Sequence, residues 1–277
     1  MSLLPQNSNQ IEFNDQSHIT PNTGRQNILK AMSGGSIIRN GTSIGLKQLF
    51  DDDSSTYTYV LWDIETNDAI IVDPVDIQVD RDINEATQLG LNIVYGVNTH
   101  AHADHITGTH LLKQKITGLQ SVIAKSSGAA ADILLESGDR IVFGHRHLEV
   151  RSTPGHTNGC LSYFADDQSF VLTGDALLIQ GCGRTDFQGG SAATLYDSIH
   201  SQLFSLPSNT VVYPAHDYMG RTSGIIGNEK ETNPRLGKGK TKNQFIDIMA
   251  NLNLSYPKKI DRAVPANMRC GVPDTSV

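Results

Sequence analysis

The sequence predicts an α/β domain in which two sheets pack face to face with helices outside. Short apolar runs of strand length recur between residues 57 and 214. Helical patterns flank the series at both ends, and no segment repeats. Periodicity alone does not separate this arrangement from one parallel sheet; many short strands with helices at both ends favour two sheets.

The elements follow in order. Residues 1–45 are polar, rich in Asn, Gln, Ser and Gly, and show no clean period, which predicts a poorly ordered N-terminal extension before a folded domain over 46–277. "YTYVLW" (57–62) and "AIIVD" (69–73) are strand-like runs around "DIETND", a hairpin pattern. "RDINEATQLG" reads as a helix closed by Gly90, and "NIVYGVNTH" as a buried strand. A helix is expected from His105 to Lys113. Further strands are expected at "RIVF", "HLEVRST", "CLSYF", "SFVLTGD" and "TVVYPAH". "SAATLYDSIHSQLFSL" places Ala192, Leu195, Ile199, Leu203 and Leu206 on one helical stripe. A last helix at about 243–253 precedes a Pro-punctuated C-terminal stretch.

The chain has 277 residues, 38% hydrophobic and 18% charged, enough for a sizeable core. A net charge of -7 argues against a nucleic-acid partner, which selects for basic patches. No apolar run reaches the roughly 20 residues that span a membrane. "MSLLPQNSNQIEFNDQ" lacks the charged and apolar regions of a secretory signal. Arg25, Lys30 and Arg39 suit a mitochondrial leader while Glu12 and Asp15 count against one, so composition leaves that point open. Three cysteines without CxxC spacing suit a reducing compartment.

Chemistry gathers at strand ends. His100, His102, Asp104 and His105 crowd into "HAHADH"; His156 follows a strand in "TPGHTNG"; Asp175 ends "VLTGD"; His216 ends "VVYPAH". A single such histidine is more often a satisfied surface group, and Asp175 alone could cap a helix. Together they form a metal site. Imidazole and carboxylate suit zinc, iron or manganese. The set fits two adjacent metals bridged by Asp175, or one ion on two histidines and a carboxylate, and spacing does not choose. His145 and His147 alternate toward solvent, and His110 and His200 read as structural helix residues.

These motifs resemble the metallo-β-lactamase superfamily, whose THxHxDH, PGHT, TGD and AH signatures occur here in order at 99–105, 154–157, 173–175 and 215–216. The resemblance implies an αββα sandwich with its metal site at one edge. His102 stands where the oxygen-reducing diiron branch carries glutamate. "TGDALLIQGCGRTDFQGG" (173–190), "YPAHDY" (213–218), "NPRL" (233–236) and "PANMRCG" (265–271) are further similar to the persulfide dioxygenase family, over about residues 46–272. Glyoxalase II shares THxHxDH and GCGR but differs after GCGR and at the last histidine.

The resemblance implies an iron-dependent enzyme of sulfide detoxification that oxidises glutathione persulfide with O2 and water to sulfite and glutathione. It implies one Fe(2+) per subunit on His100, His156 and Asp175. His102, Asp104, His105 and His216 would surround the metal, orienting and tuning its ligands. Arg184, Tyr218 and Asn267 would bind the substrate. The alternative is a glyoxalase II-type hydroxyacylglutathione hydrolase with two metals. The implied location is the mitochondrial matrix if the source is eukaryotic and the cytoplasm otherwise, without secretion, membrane or nucleic-acid partner, and compatible with a homodimer.

Overall fold

The computed structural model describes residues 29–32, 36–39 and 43–273. The expected extension therefore lies outside the described residues over 1–28, and also over 33–35 and 40–42. The first sheet runs in sequence order through β1 (Leu29–Met32), β2 (Ser36–Arg39), β3 (Ile44–Asp51), β4 (Thr56–Asp63), β5 (Asp68–Val72), β6 (Asn92–Val97), β7 (Gln120–Ala124) and β8 (Ile133–Leu135). The second sheet contains β9 (Arg140–Phe143), β10 (Arg146–Ser152), β11 (Leu161–Ala165), β12 (Phe170–Gly174), β13 (Val211–Pro214) and β14 (Gly224–Ile225). Its strands too are neighbours in sequence order, from β9 at one edge to β14 at the other. β3 begins at Ile44, two residues before the expected domain boundary, because Ile44 and Leu46 already point into the core.

Six α-helices are described: α1 (Val79–Gln88), α2 (Thr109–Lys115), α3 (Ala192–Ser198), α4 (Ile226–Thr232), α5 (Lys242–Ala250) and α6 (Ile260–Asn267). Period-2 alternation sorts the strand side chains into layers. Ile70 and Val72 of β5 face Leu148, Val150 and Tyr163 of the second sheet in the central core. Ala69 and Ile71 face the other way, onto Val79 and Ala86 of α1 and Leu112 of α2. On the far side, Val171 and Val212 meet Leu195 of α3 and Phe245 of α5. Helix, sheet, sheet, helix is thus the order of layers, the αββα sandwich that the motifs implied.

The hairpin forms as expected, with Tyr59 opposite Val72. Gly90 closes α1 in the left-handed region, at φ 68°. Two expectations are corrected. The helix expected from His105 starts at Thr109, because Thr107 N–H and Gly108 N–H donate sideways to Asn267 and Pro74 rather than along a helix. The Pro-punctuated tail contains α6, with Pro265 inside it. Pro reads locally as a breaker, whereas packing of Ala263 and Ala266 on Ile106 holds this helix in place.

One buried acid belongs to the fold rather than to the site. Asp82 of α1 is fully buried; Arg81 donates to its Oδ1, and Oδ2 has no partner. Burial pushes its pKa up to about 6, against the pull of Arg81. The folded-state pKa thus lies above the unfolded value near 3.8, so this group's contribution is complete below about pH 4 and is lost as pH rises through 6. Asp82→Asn should therefore gain on the parent between pH 4 and 7, by up to about 3 kcal/mol. Urea unfolding of both proteins across that range checks this, and a difference independent of pH contradicts it.

Candidate metal centre

β5 and β6 run parallel, as do β12 and β13, so their C-terminal ends deliver loops to matching edges of the sandwich. The loop after β6 carries His100, His102, Asp104 and His105. It is anchored on Asp73, the residue after β5, which is 1% exposed. Asp73 Oδ1 accepts from Thr99 N–H at 2.7 Å and from His102 Nε2–H at 3.0 Å, and Oδ2 accepts from the Thr99 hydroxyl at 2.8 Å. Asp73 was not singled out in the sequence. Its only signal is an acid closing the apolar run "AIIV".

Hydrogen bonds fix which nitrogen each imidazole offers. Thr99 Oγ1 spends its proton on Asp73, so it accepts from His100 Nδ1–H at 3.0 Å and leaves Nε2 of His100 as a lone pair. His156 Nδ1–H donates to Arg184 O at 2.7 Å, and His216 Nδ1–H donates to Ser55 O at 3.0 Å, leaving both Nε2 atoms free. His102 donates through Nε2 instead, so its buried Nδ1 is bare. His105 donates Nδ1–H to Asp104 Oδ2 at 2.8 Å, and its buried Nε2 has no partner.

These lone pairs face acceptors rather than donors. His156 Nε2 lies 3.5 Å from Asp175 Oδ2; His216 Nε2 lies 3.6 Å from Asp175 Oδ1 and 3.6 Å from Asp104 Oδ1. Asp175 Oδ1 is buried with no hydrogen-bond partner. Buried acceptors facing acceptors are unfavourable unless a cation or a proton lies among them. The ligand atoms of His100, His156 and Asp175 all lie within 4.8 Å of one another, and so do those of His102, Asp104 and His105. The donor set therefore fits a metal ion.

The electrostatics divide the histidines: His100 and His105 are kept neutral, whereas in the metal-free protein a proton on His216 sits between Asp104 and Asp175, where a metal would compete with it. Burial, with His102 and His156 beside it, holds His100 well below the ordinary histidine range, so it is neutral and able to ligate. Burial also lowers His105. Burial would lower His216 as well, but the charges of Asp175 and Asp104 lift it well above its usual value. Asp104 is held well below the carboxylate range by His216 and His105, against the opposing effect of burial.

A cavity of about 650 Å³ opens above this cluster. Asp104, His156, Asp175 and His216 reach it, and Leu178, Ile179, Arg184 and Tyr218 line its walls. Gly183 lets the wall approach the ligands, since a Cβ there would lie 2.8 Å from His156 Nδ1 and 2.6 Å from Asp175 O. Tyr218 is 70% exposed, with its ring near parallel to His216 at 6.0 Å. Arg184 is at the wall but engaged: its fork grips Asp186 at 2.6 and 2.7 Å, and it donates to Ser255 O at 2.8 Å. Asn267 does not line this cavity. It is buried beneath the metal loop, with its amide spent on backbone groups.

Residues 118–216 match the metallo-beta-lactamase superfamily. The chain is 52% identical over 233 residues to the human protein named persulfide dioxygenase ETHE1, mitochondrial, covering 84% of this chain and 91% of that protein. The crystal structure of ETHE1 from Myxococcus xanthus superposes with a TM-score of 0.79 at 47% identity, covering 82% of this chain and 99% of that one. A hydroxyacylglutathione hydrolase from Acaryochloris marina is more distant, 32% identical over 214 residues and covering 74% of this chain and 79% of that protein. The order of layers, the converging donors and identity above one half over most of both proteins place the chain in the persulfide dioxygenase family of the metallo-β-lactamase superfamily.

Proposed function

We propose that the chain oxidises glutathione persulfide with O2 and water, giving glutathione, sulfite and two protons, and that one Fe(2+) per subunit is held by His100, His156 and Asp175. The observation that carries the iron site is the convergence of these three donors, two with Nε2 bared by Nδ1–H bonds and one with a carboxylate oxygen left without a partner. Two histidines and a carboxylate match the facial ligand set of non-haem iron oxygenases. Bound there, iron(II) would supply the one-electron chemistry that lets O2 react with a closed-shell sulfur compound.

The rest of the site holds and orients. Asp73 and Thr99 fix the tautomers of His102 and His100, and Arg184 O fixes that of His156. The cavity falls in the size range of small-molecule sites and takes a tripeptide thiol derivative. Tyr218 lies at its wall with a hydroxyl to donate, whereas Arg184 would have to exchange Asp186 for a substrate carboxylate. The human relative's name places that protein in mitochondria; in a eukaryotic source we assign this chain to the matrix. Among the described residues no helix is long and apolar enough to cross a membrane.

The test is oxygen uptake by the Fe(II)-loaded protein on adding glutathione persulfide. One sulfite per O2 consumed is expected, and no uptake by protein shown to contain iron would overturn the reading. One observation favours a second reading: the grouping of His102, Asp104 and His105 offers donors for a second ion. Anaerobic hydrolysis of S-lactoylglutathione, at a rate comparable to that of a hydrolase, would support it.

A further inference from the structure

The C-terminal segment meets the metal loop from below. Asn267, 3% exposed, accepts from Thr107 N–H through Oδ1 at 2.8 Å. Its Nδ2 donates to His102 O at 2.8 Å and to His105 O at 2.9 Å. One amide thus binds three backbone groups of one loop. Drawing the carbonyls of His102 and His105 to the same nitrogen bows out the residues between them, and Ala103 and Asp104 are the two that reach the cavity. Around this contact Gly271 sits at φ 86°, where a Cβ would lie 2.3 Å from Thr107 O. Ile106 packs on Ala263 and Ala266, and Met268 O accepts from Ala130 N–H at 2.9 Å. No residue of the loop itself supplies these bonds.

We propose that Asn267 is a positioning residue, and that through it the segment 260–271 sets the shape of the His102–Thr107 loop and so the metal affinity of the centre. It acts on the backbone and does not touch the substrate. The inference rests on the reading of this cluster as a metal centre. It departs from the expectation that Asn267 lines the substrate pocket.

Asn267→Asp separates the two roles, because it keeps the acceptor for Thr107 N–H and removes both donations to carbonyls. Fe(II) binding is measured anaerobically by competition with a chromophoric chelator, at a temperature where every protein is folded. Oxygen uptake on glutathione persulfide then gives kcat and KM. The expected result is a loss of Fe(II) affinity of roughly 10- to 100-fold, with kcat per subunit lowered at limiting iron and KM unchanged. A raised KM with normal Fe(II) affinity would return Asn267 to the substrate pocket and overturn the proposal. Unchanged affinity and kinetics with only a lowered melting temperature would also overturn it. Phe245→Leu, in the core outside the second sheet, is the control for general destabilisation. It should melt lower yet keep its Fe(II) affinity, and an equal loss of affinity there counts against positioning. If Asn267→Asp does not fold, Gly271→Ala perturbs the same contact through Thr107 and is held to the same criteria. Failure of the parent protein to bind Fe(II) would sink the metal-centre reading instead, which keeps the two failures distinct.

Discussion

Asp175→Ala should abolish iron binding and oxygen uptake together, lowering activity by more than about 100-fold, since a lost ligand costs more than the 10- to 100-fold typical of the groups behind it. The same variant should leave the stability of the metal-free protein unchanged or raised. Asp175 Oδ1 is buried with no hydrogen-bond partner, and His216 Nε2, 3.6 Å away, stays beside Asp104 Oδ1 when Asp175 is removed. Removing a buried acceptor that has no partner relieves a desolvation cost instead of breaking a bond. Metal content by elemental analysis, oxygen uptake and the melting temperature of chelator-treated protein form the test. Iron at the parent's occupancy would contradict the ligand assignment, and a large fall in apoprotein stability would contradict the claim that the carboxylate is held there for the ion.

Asp73→Asn should differ in its effect on the fold, losing stability as well as affinity. Asp73 is buried and accepts from Thr99 N–H, the Thr99 hydroxyl and His102 Nε2–H. An amide has the same shape but turns one acceptor into a donor, which must then face Thr99 N–H and His102 Nε2–H, or donate to the Thr99 hydroxyl and turn its proton onto His100 Nδ1. The expected cost is about 3 kcal/mol of stability and roughly 10- to 100-fold in Fe(II) affinity. Urea unfolding and chelator competition measure the two quantities. Parent-like values for both would mean that Asp73 does not set the loop. The pair of variants separates a carboxylate that serves the ion from one that serves the scaffold, although each directly follows a strand, β5 for Asp73 and β12 for Asp175.

The site was legible where chemistry-bearing residues are dense. Three histidines and an aspartate in six residues have no packing explanation; the TGD and AH turns each follow an apolar strand that marks its own end, and PGHT follows the strand-like run "HLEVRST". Asp73 was missed because one acid after "AIIV" is indistinguishable from an ordinary turn residue. The hairpin and the helix closed by Gly90 were readable from local pattern. The start of α2 was not, because the groups that keep His105–Gly108 out of the helix, Asn267 and Pro74, are remote in sequence. α6 was hidden by Pro265 for the same reason: its support is Ile106, about 160 positions away. Asn267 was noticed but given the wrong surroundings, since a motif shows that a residue matters without showing which way it faces.

The donors do not come from one layer. His100 leaves the end of β6 in the first sheet, while His156 follows β10 and Asp175 follows β12 in the second. An ion held by all three is a clasp across the seam of the sandwich, added to the apolar core and to cross-sheet hydrogen bonds such as Tyr59 Oη–H to Pro214 O and Leu161 N–H to Thr99 O. Its binding energy would add to folding energy by mass action. Chain synthesised while the metal is scarce would then be less stable as well as idle, and more open to proteolysis. The cell's supply of the metal would thus govern how long each copy survives as well as how fast it works.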